Sequence, residues 1–276
     1  MPRISPNVFK TISLLKPYDI DLAKVYIGKL RDGGYVLADS QTRSDVLSFG
    51  VGPETSFEKA MAEQGRQVFL ADHTVWDTPE HHPLFSFERV GVSAEGVRSA
   101  ELAPLTYHLE KIAGKTSCVL KMDVEGAEWD VFSSIDASVL DRFEQIVFEG
   151  HWLSRLCEPA FCEKVFLSLN RLNDRFTLFH VHANNCAGLH FVEGFPVADV
   201  LELSYVRTDL VKRQSSQTYY PCVNQANHPH HADHPLLFYP FLPESDVLSV
   251  SNVVNRICAE DDSTQRKLLA GEDVPY

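Results

Sequence analysis

The chain has 276 residues, 44% hydrophobic and 23% charged, a balance too apolar for a disordered protein and ordinary for a globular one. A formal net charge of −13 repels polyanions at long range and argues against extended binding to a nucleic-acid backbone. No stretch approaches the roughly 20 apolar residues of a membrane helix. Nothing in Met1–Asp19 has the apolar run of a secretory signal. The six cysteines are dispersed, with no CxxC pair. The expectation is a cytoplasmic protein with reduced thiols, whose partner is neither a nucleic acid nor a membrane.

In chain order, the first predicted strand is Val46–Phe49, followed by a helix over Ser56–Gln64 that ends at Gly65, a natural C-cap. Strands are predicted at Gln67–Ala71, Phe85–Val92 and Ser117–Met122, and a short helix at Trp129–Ser134. Then come a strand at Gln145–Phe148, an amphipathic helix over Pro159–Leu172, and strands at Phe176–His182 and Val200–Tyr205. Such alternation is the signature of βαβ units. Several of the runs are continuously apolar, as strands covered on both faces are. The expected fold is therefore α/β, a doubly wound, seven-stranded, mostly parallel sheet in a single domain. Its core spans about residues 27–207, and Thr208–Tyr276, richer in Pro, His and Ser, forms a covering extension. The imidazoles of the stretch from His228 to His234 could bind a metal, but two prolines make a surface loop the better reading.

In open α/β sheets, ligands sit at the carboxyl ends of the strands. The first predicted strand ends in Ser48-Phe49-Gly50-Val51-Gly52, and glycines allow the tight turn and close ligand approach of a cofactor loop. Two glycines alone are a weak signal. The second strand ends in Asp72-His73-Thr74, an acid at the strand tip about 20 residues after the glycines, where it could accept ribose hydroxyl hydrogens. The fourth runs into Asp123-Val124-Glu125-Gly126-Ala127-Glu128-Trp129. Acids in the first turn of a helix complement its dipole, but Asp123 stands at the strand tip itself.

Together with Arg31-Asp32-Gly33-Gly34-Tyr35, Phe57-Glu58, the Lys121-Met122 that precedes Asp123, and Glu149-Gly150-His151, these segments resemble the FkbM-type methyltransferases. The Asp-Val-Glu-Gly-Ala-Glu run is the most specific part of the resemblance, which covers about residues 27–207. It implies a seven-strand methyltransferase fold with S-adenosylmethionine as donor. Gly50 and Gly52 would contact its methionine part and Asp72 its ribose, with His73 and Asp123 also at the cofactor. Gly91–Ser93 would lie near adenine, and Arg31–Gly34, with Gly34 among the cofactor residues, would close over it. Many proteins of this fold class carry an acid where Ser48 stands.

Methyl transfer to a hydroxyl needs close positioning and removal of a proton, by a base or through a metal. The fifth strand leads into Glu149-Gly150-His151 and the sixth into His182. Either His151 or His182 is expected as the base, with Asp123 and Glu149 orienting it or the acceptor. The same Asp123, Glu149 and His151 form a mixed O/N set for a divalent ion such as magnesium. The expected partner is a hydroxylated small molecule such as a sugar; no pattern specifies an oligomeric state. An NAD-dependent oxidoreductase is the first alternative, but Ser56 and Phe57 stand where its third glycine belongs. The second is a silent binding module that keeps the fold.

Overall fold

The computed structural model describes residues 7–40, 42–112, 117–223 and 226–244. The part of the expected covering extension from 245 to 276 lies outside the described residues.

Seven apolar runs become one sheet: β1 (Asp45–Phe49), β2 (Val68–Ala71), β3 (Phe85–Glu88), β4 (Cys118–Met122), β5 (Phe143–Gly150), β6 (Phe176–Ala183) and β7 (Leu201–Arg207). They lie in the order β6-β7-β5-β4-β1-β2-β3. Neighbours run parallel except at β7, which is antiparallel to both β5 and β6. The mostly parallel, seven-stranded sheet is as the apolar runs predict.

Alternation along the strands sorts side chains to two faces. Leu47, Phe49, Leu120, Met122, Ile146 and Phe148 join one core with helices α2 (Glu128–Ser134) and α3 (Pro159–Asn173). Val46, Val68, Leu70, Val119 and Val147 join the other, beneath Phe57 and Met61 of α1 (Ser56–Glu63). Each helix has a sequence cause. Pro159 opens α3, where its missing N–H costs nothing, and Phe161, Cys162, Val165, Leu169 and Leu172 make its buried stripe. Helix α1 is closed by Gly65 at φ +83°, as its position predicts.

The predicted strand Phe85–Val92 divides in two. The chain turns at Arg89-Val90, and Gly91–Ser93 pairs with Leu102–Pro104 in a separate small sheet. The Lys24–Ile27/Tyr35–Ala38 hairpin lay outside the predicted elements. Gln145 fastens it to β5, accepting from Ala38 N–H at 2.8 Å and donating to Ala38 C=O at 3.0 Å. A second hairpin, Leu189–Val192/Phe195–Ala198, fills the β6–β7 connection. After β7 the chain returns, pairs Arg213–Ser215 with Tyr18–Ile20, and lays residues 226–235 over the loop that follows β6. Among the described residues no helix is long and apolar enough to cross a membrane.

From β1 the chain proceeds outward to β2 and β3, then returns to place β4 on the other side of β1. The carboxyl ends of β1 and β4 thus flank the switch point, where open sheets carry their ligand crevice.

Candidate functional site

A cleft of about 310 Å³ opens at this switch point. Gly50, Gly52, Asp72, His73, Gly91 and Asp123 all line it, so four segments distant in sequence converge on one space. Gly50 has φ +77°, and a Cβ there would run into the backbone carbonyl of Asp123. The tips of β1 and β4 therefore approach as closely as only glycine allows. Gly52, at φ +54°, would place a Cβ in open space. The bend is tight on its sheet side and vacant on its cleft side. Gly91 is packed by the ring of His73. Asp32 and Gly33, in the turn of the first hairpin, reach the cleft, whereas Gly34 is turned toward the hydroxyl of Tyr26.

Asp72 holds the bend. Its carboxylate accepts from Val51 N–H at 2.9 Å, Thr74 N–H at 2.7 Å and the Thr74 hydroxyl at 2.7 Å. Burial alone would raise its pKa, but the hydrogen bonds from Thr74, Val51 and Gly52 outweigh burial and hold it below the ordinary carboxylate value. With the folded value below the unfolded one, this contribution is complete above the unfolded value of about 3.9 and is lost as pH falls through the folded one. Asp72→Ala is expected to destabilise the protein by about 1–3 kcal/mol, the cost of leaving buried donors unpaired. Urea titration at pH 7 would read the drop, and the deficit should shrink on acidification below about pH 4.

Beside the cleft lies a second cavity of about 290 Å³, lined by Glu149, His151, Asn184 and Cys186 together with Asp32, Asp123 and Glu125, which it shares with the first. Glu149 closes β5 and His151 follows it. Four carboxylates face the His151 ring: Glu128 at 3.2 Å from Nδ1, and Glu125 at 3.4 Å, Glu149 at 3.4 Å and Asp123 at 3.8 Å from Nε2. Glu128 is fully buried and also accepts the backbone N–H groups of His151 at 2.7 Å and Gly126 at 2.9 Å. Trp129 donates its indole N–H to His151 C=O at 2.8 Å. Burial would lower the His151 pKa, but the Glu128 and Glu149 carboxylates reverse this and hold it well above the usual imidazole range. Burial pushes the Glu149 carboxyl up, as do Asp123 and Glu202, and His151 opposes them.

His182 stands apart. It is fully buried, with Nδ1 at 3.1 Å from Glu202 and Nε2 at 2.9 Å from Asp233, and it is not among the residues lining either cavity. Antiparallel β7 lies between β5 and β6, and the loop after β6 reaches the cavity of Asp123 through Asn184 and Cys186, not through His182.

The family model for the methyltransferase FkbM domain matches residues 34–189, more than half of the chain. The chain belongs to the FkbM methyltransferase family. No curated protein and no solved structure matches it.

The matched segment runs from the turn of the first hairpin to the first residue of the second. It holds all the lining residues of both cavities named above except Asp32 and Gly33. Two buried positions of this FkbM methyltransferase, both inside segments that carry the resemblance, were assigned no role from the sequence. Lys121, buried in β4 at the cleft, donates from Nζ to Gly50 C=O at 2.5 Å and lies 3.9 Å from Glu58, which accepts the Ser48 hydroxyl at 2.5 Å. The usable signal was a lysine inside an otherwise apolar strand, since a fully buried lysine needs a partner. Glu128 was readable only as an acid in a helix first turn. Asp123, Glu125 and His151 each bring one ligand atom within 4.8 Å of the others, so this trio could hold a metal ion; Glu149, expected in that role, stands next to it.

Proposed function

We propose that this FkbM-family methyltransferase is S-adenosylmethionine-dependent and O-methylates a hydroxylated small molecule in the cytoplasm. One observation carries the reading. The glycine bend, Asp72 and Asp123 share a cleft, and that cleft meets the cavity of Glu149 and His151 along Asp32, Asp123 and Glu125. Two adjoining sites are what an in-line transfer between two bound groups requires, because proximity supplies much of its rate.

The cleft residues fit the donor. Gly52 leaves open space where a side chain would stand, so a ligand can lie against the backbone. Ionised Asp72 is suited to ribose hydroxyls, and Gly91 and Val92 border the end assigned to adenine. Bound there, S-adenosylmethionine supplies a methyl group already activated on a sulfonium. On the other side, His151 is held protonated among its carboxylates and has no lone pair at Nε2 with which to act as a base. Glu149 takes that role and receives the acceptor's proton as the oxygen gains the methyl group. Burial strengthens it as a base. His151, fixed by Glu128, holds Glu149 and Asp123 in place.

Calorimetry with S-adenosylmethionine and with NAD tests the donor, and a tritiated methyl-transfer screen of hydroxylated metabolites tests the acceptor. Binding of the first ligand alone is expected; binding of NAD, or of neither, overturns the reading. The Asp123–Glu125–His151 trio supports a second reading, in which a divalent ion activates the acceptor. Oxygen ligands with one imidazole suit a magnesium- or manganese-type ion, and Glu128 on Nδ1 would orient the ring for it. Turnover should survive exhaustive chelation in the first reading, and fall and return with magnesium in the second.

A further inference from the structure

One wall of the cavity of Glu149 and His151 is held in place by residues that lie outside the matched segment. Residues 184–188, the loop after β6, supply Asn184, Cys186 and Ala187 to it. Asn184 donates to Glu149 at 3.3 Å and accepts the N–H of Cys186 at 2.8 Å, so the loop also touches the carboxylate proposed as base.

This loop is gripped from outside by the C-terminal extension. The Asn185 amide donates to the carbonyls of His228 and His231, both at 3.0 Å, and accepts the N–H of His228 at 2.7 Å. His231 Nδ1 lies 3.1 Å from Asn185 C=O, and His234 Nε2 lies 2.9 Å from Ala187 C=O. Beneath these bonds, His182 bridges Glu202 of β7 and Asp233 of the extension. Asn227, at the start of the same stretch, donates to Glu202 at 2.5 Å. The side chain of His182 is fully buried and that of Asp233 is 22% exposed, so the bridge is sheltered from water. Bonds between charged groups in such a setting are the strong ones. The burial that would lower the His182 pKa is outweighed by Asp233 and Glu202, which raise it to about 9.

We propose that residues 226–236 are a strap, clasped by Asp233 on His182, that holds loop 184–188 in place as the wall of the acceptor cavity. His182 is then a positioning residue for the acceptor, acting through Asp233 and Asn185, and takes no proton from it. The histidines of the strap serve as hydrogen-bonding struts. The proposal rests on reading this cavity as the acceptor site.

The test uses the full chain with Asp233→Asn, which removes the charge and keeps an oxygen acceptor, and Asp233→Ala, which removes both. Two local readouts apply: amide hydrogen exchange by mass spectrometry, and the alkylation rate of Cys186, an exposed thiol on the wall. The Ala variant should exchange about tenfold faster in both 226–236 and 184–188, as expected when a charge-assisted bond is lost. Cys186 should react correspondingly faster, and the Asn variant should fall between. Exchange in 46–52 and affinity for S-adenosylmethionine should not change. If the strap loosens while 184–188 and Cys186 do not, or nothing changes, or exchange rises everywhere, the proposal is overturned. Failure of the wild type to bind S-adenosylmethionine would instead overturn the proposed function, and the exchange result would still report on the clasp.

Discussion

Glu149→Gln is expected to lower turnover by about 10²–10⁴-fold, the range for loss of a positioned general base. The replacement is nearly isosteric, and its carbonyl can still accept from Asn184. His151 keeps Glu128 on Nδ1, so the ring remains charged and anchored. Little else should move, and affinity for S-adenosylmethionine should change by less than about threefold, within the usual ±0.5 kcal/mol of a change made away from a site. Single-turnover methyl transfer together with calorimetry separates the two effects. Unaltered turnover would exclude Glu149 as the base. His151→Gln tests the complementary point. If the imidazolium only holds its carboxylates, the variant should retain more activity than Glu149→Gln does.

The second large effect is expected at Gly50. In Gly50→Ala, the new Cβ meets the carbonyl of Asp123, and the residue must also hold φ +77°. Overpacking and left-handed strain together amount to about 2–5 kcal/mol, enough to force the tips of β1 and β4 apart. Both cavities depend on Asp123, so methyl transfer should be lost along with donor affinity. Gly52→Ala is the control. It carries the strain of φ +54° without a collision and should cost about 1–2 kcal/mol. Thermal melts and calorimetry on the pair would show whether the close approach, beyond the left-handed bend, makes Gly50 indispensable. Equal losses in the two variants would show that it does not.

The sheet was legible because parallel strands covered on both faces must be apolar throughout, and β1, β4, β5 and β6 are buried along their whole length. The direction of β7 was not legible, since a buried strand looks the same from either end. The first hairpin was not legible because it packs on the sheet through contacts distant in sequence, among them the Gln145 side chain on Ala38. At the cleft, the glycine bend and Asp72 were readable by spacing along contiguous chain. On the other side, His151 and His182 look alike as histidines near strand tips. What separates them is Glu128 and Glu125 for one, and Glu202 and Asp233 for the other, and Asp233 lies 51 positions away.

The reversed direction of β7 divides the molecule's capacity to change. Since β7 runs backward, the β6–β7 connection begins and ends at the ligand edge, and an entire hairpin is inserted there without disturbing a strand. Lengthening or exchanging residues 184–200 would recast one half of the ligand edge, while the bend at 50–52 and Asp72, on the far side of β5 and β4, kept their positions. Such an architecture can diversify what it modifies at one margin and preserve the source of the transferred group at the other.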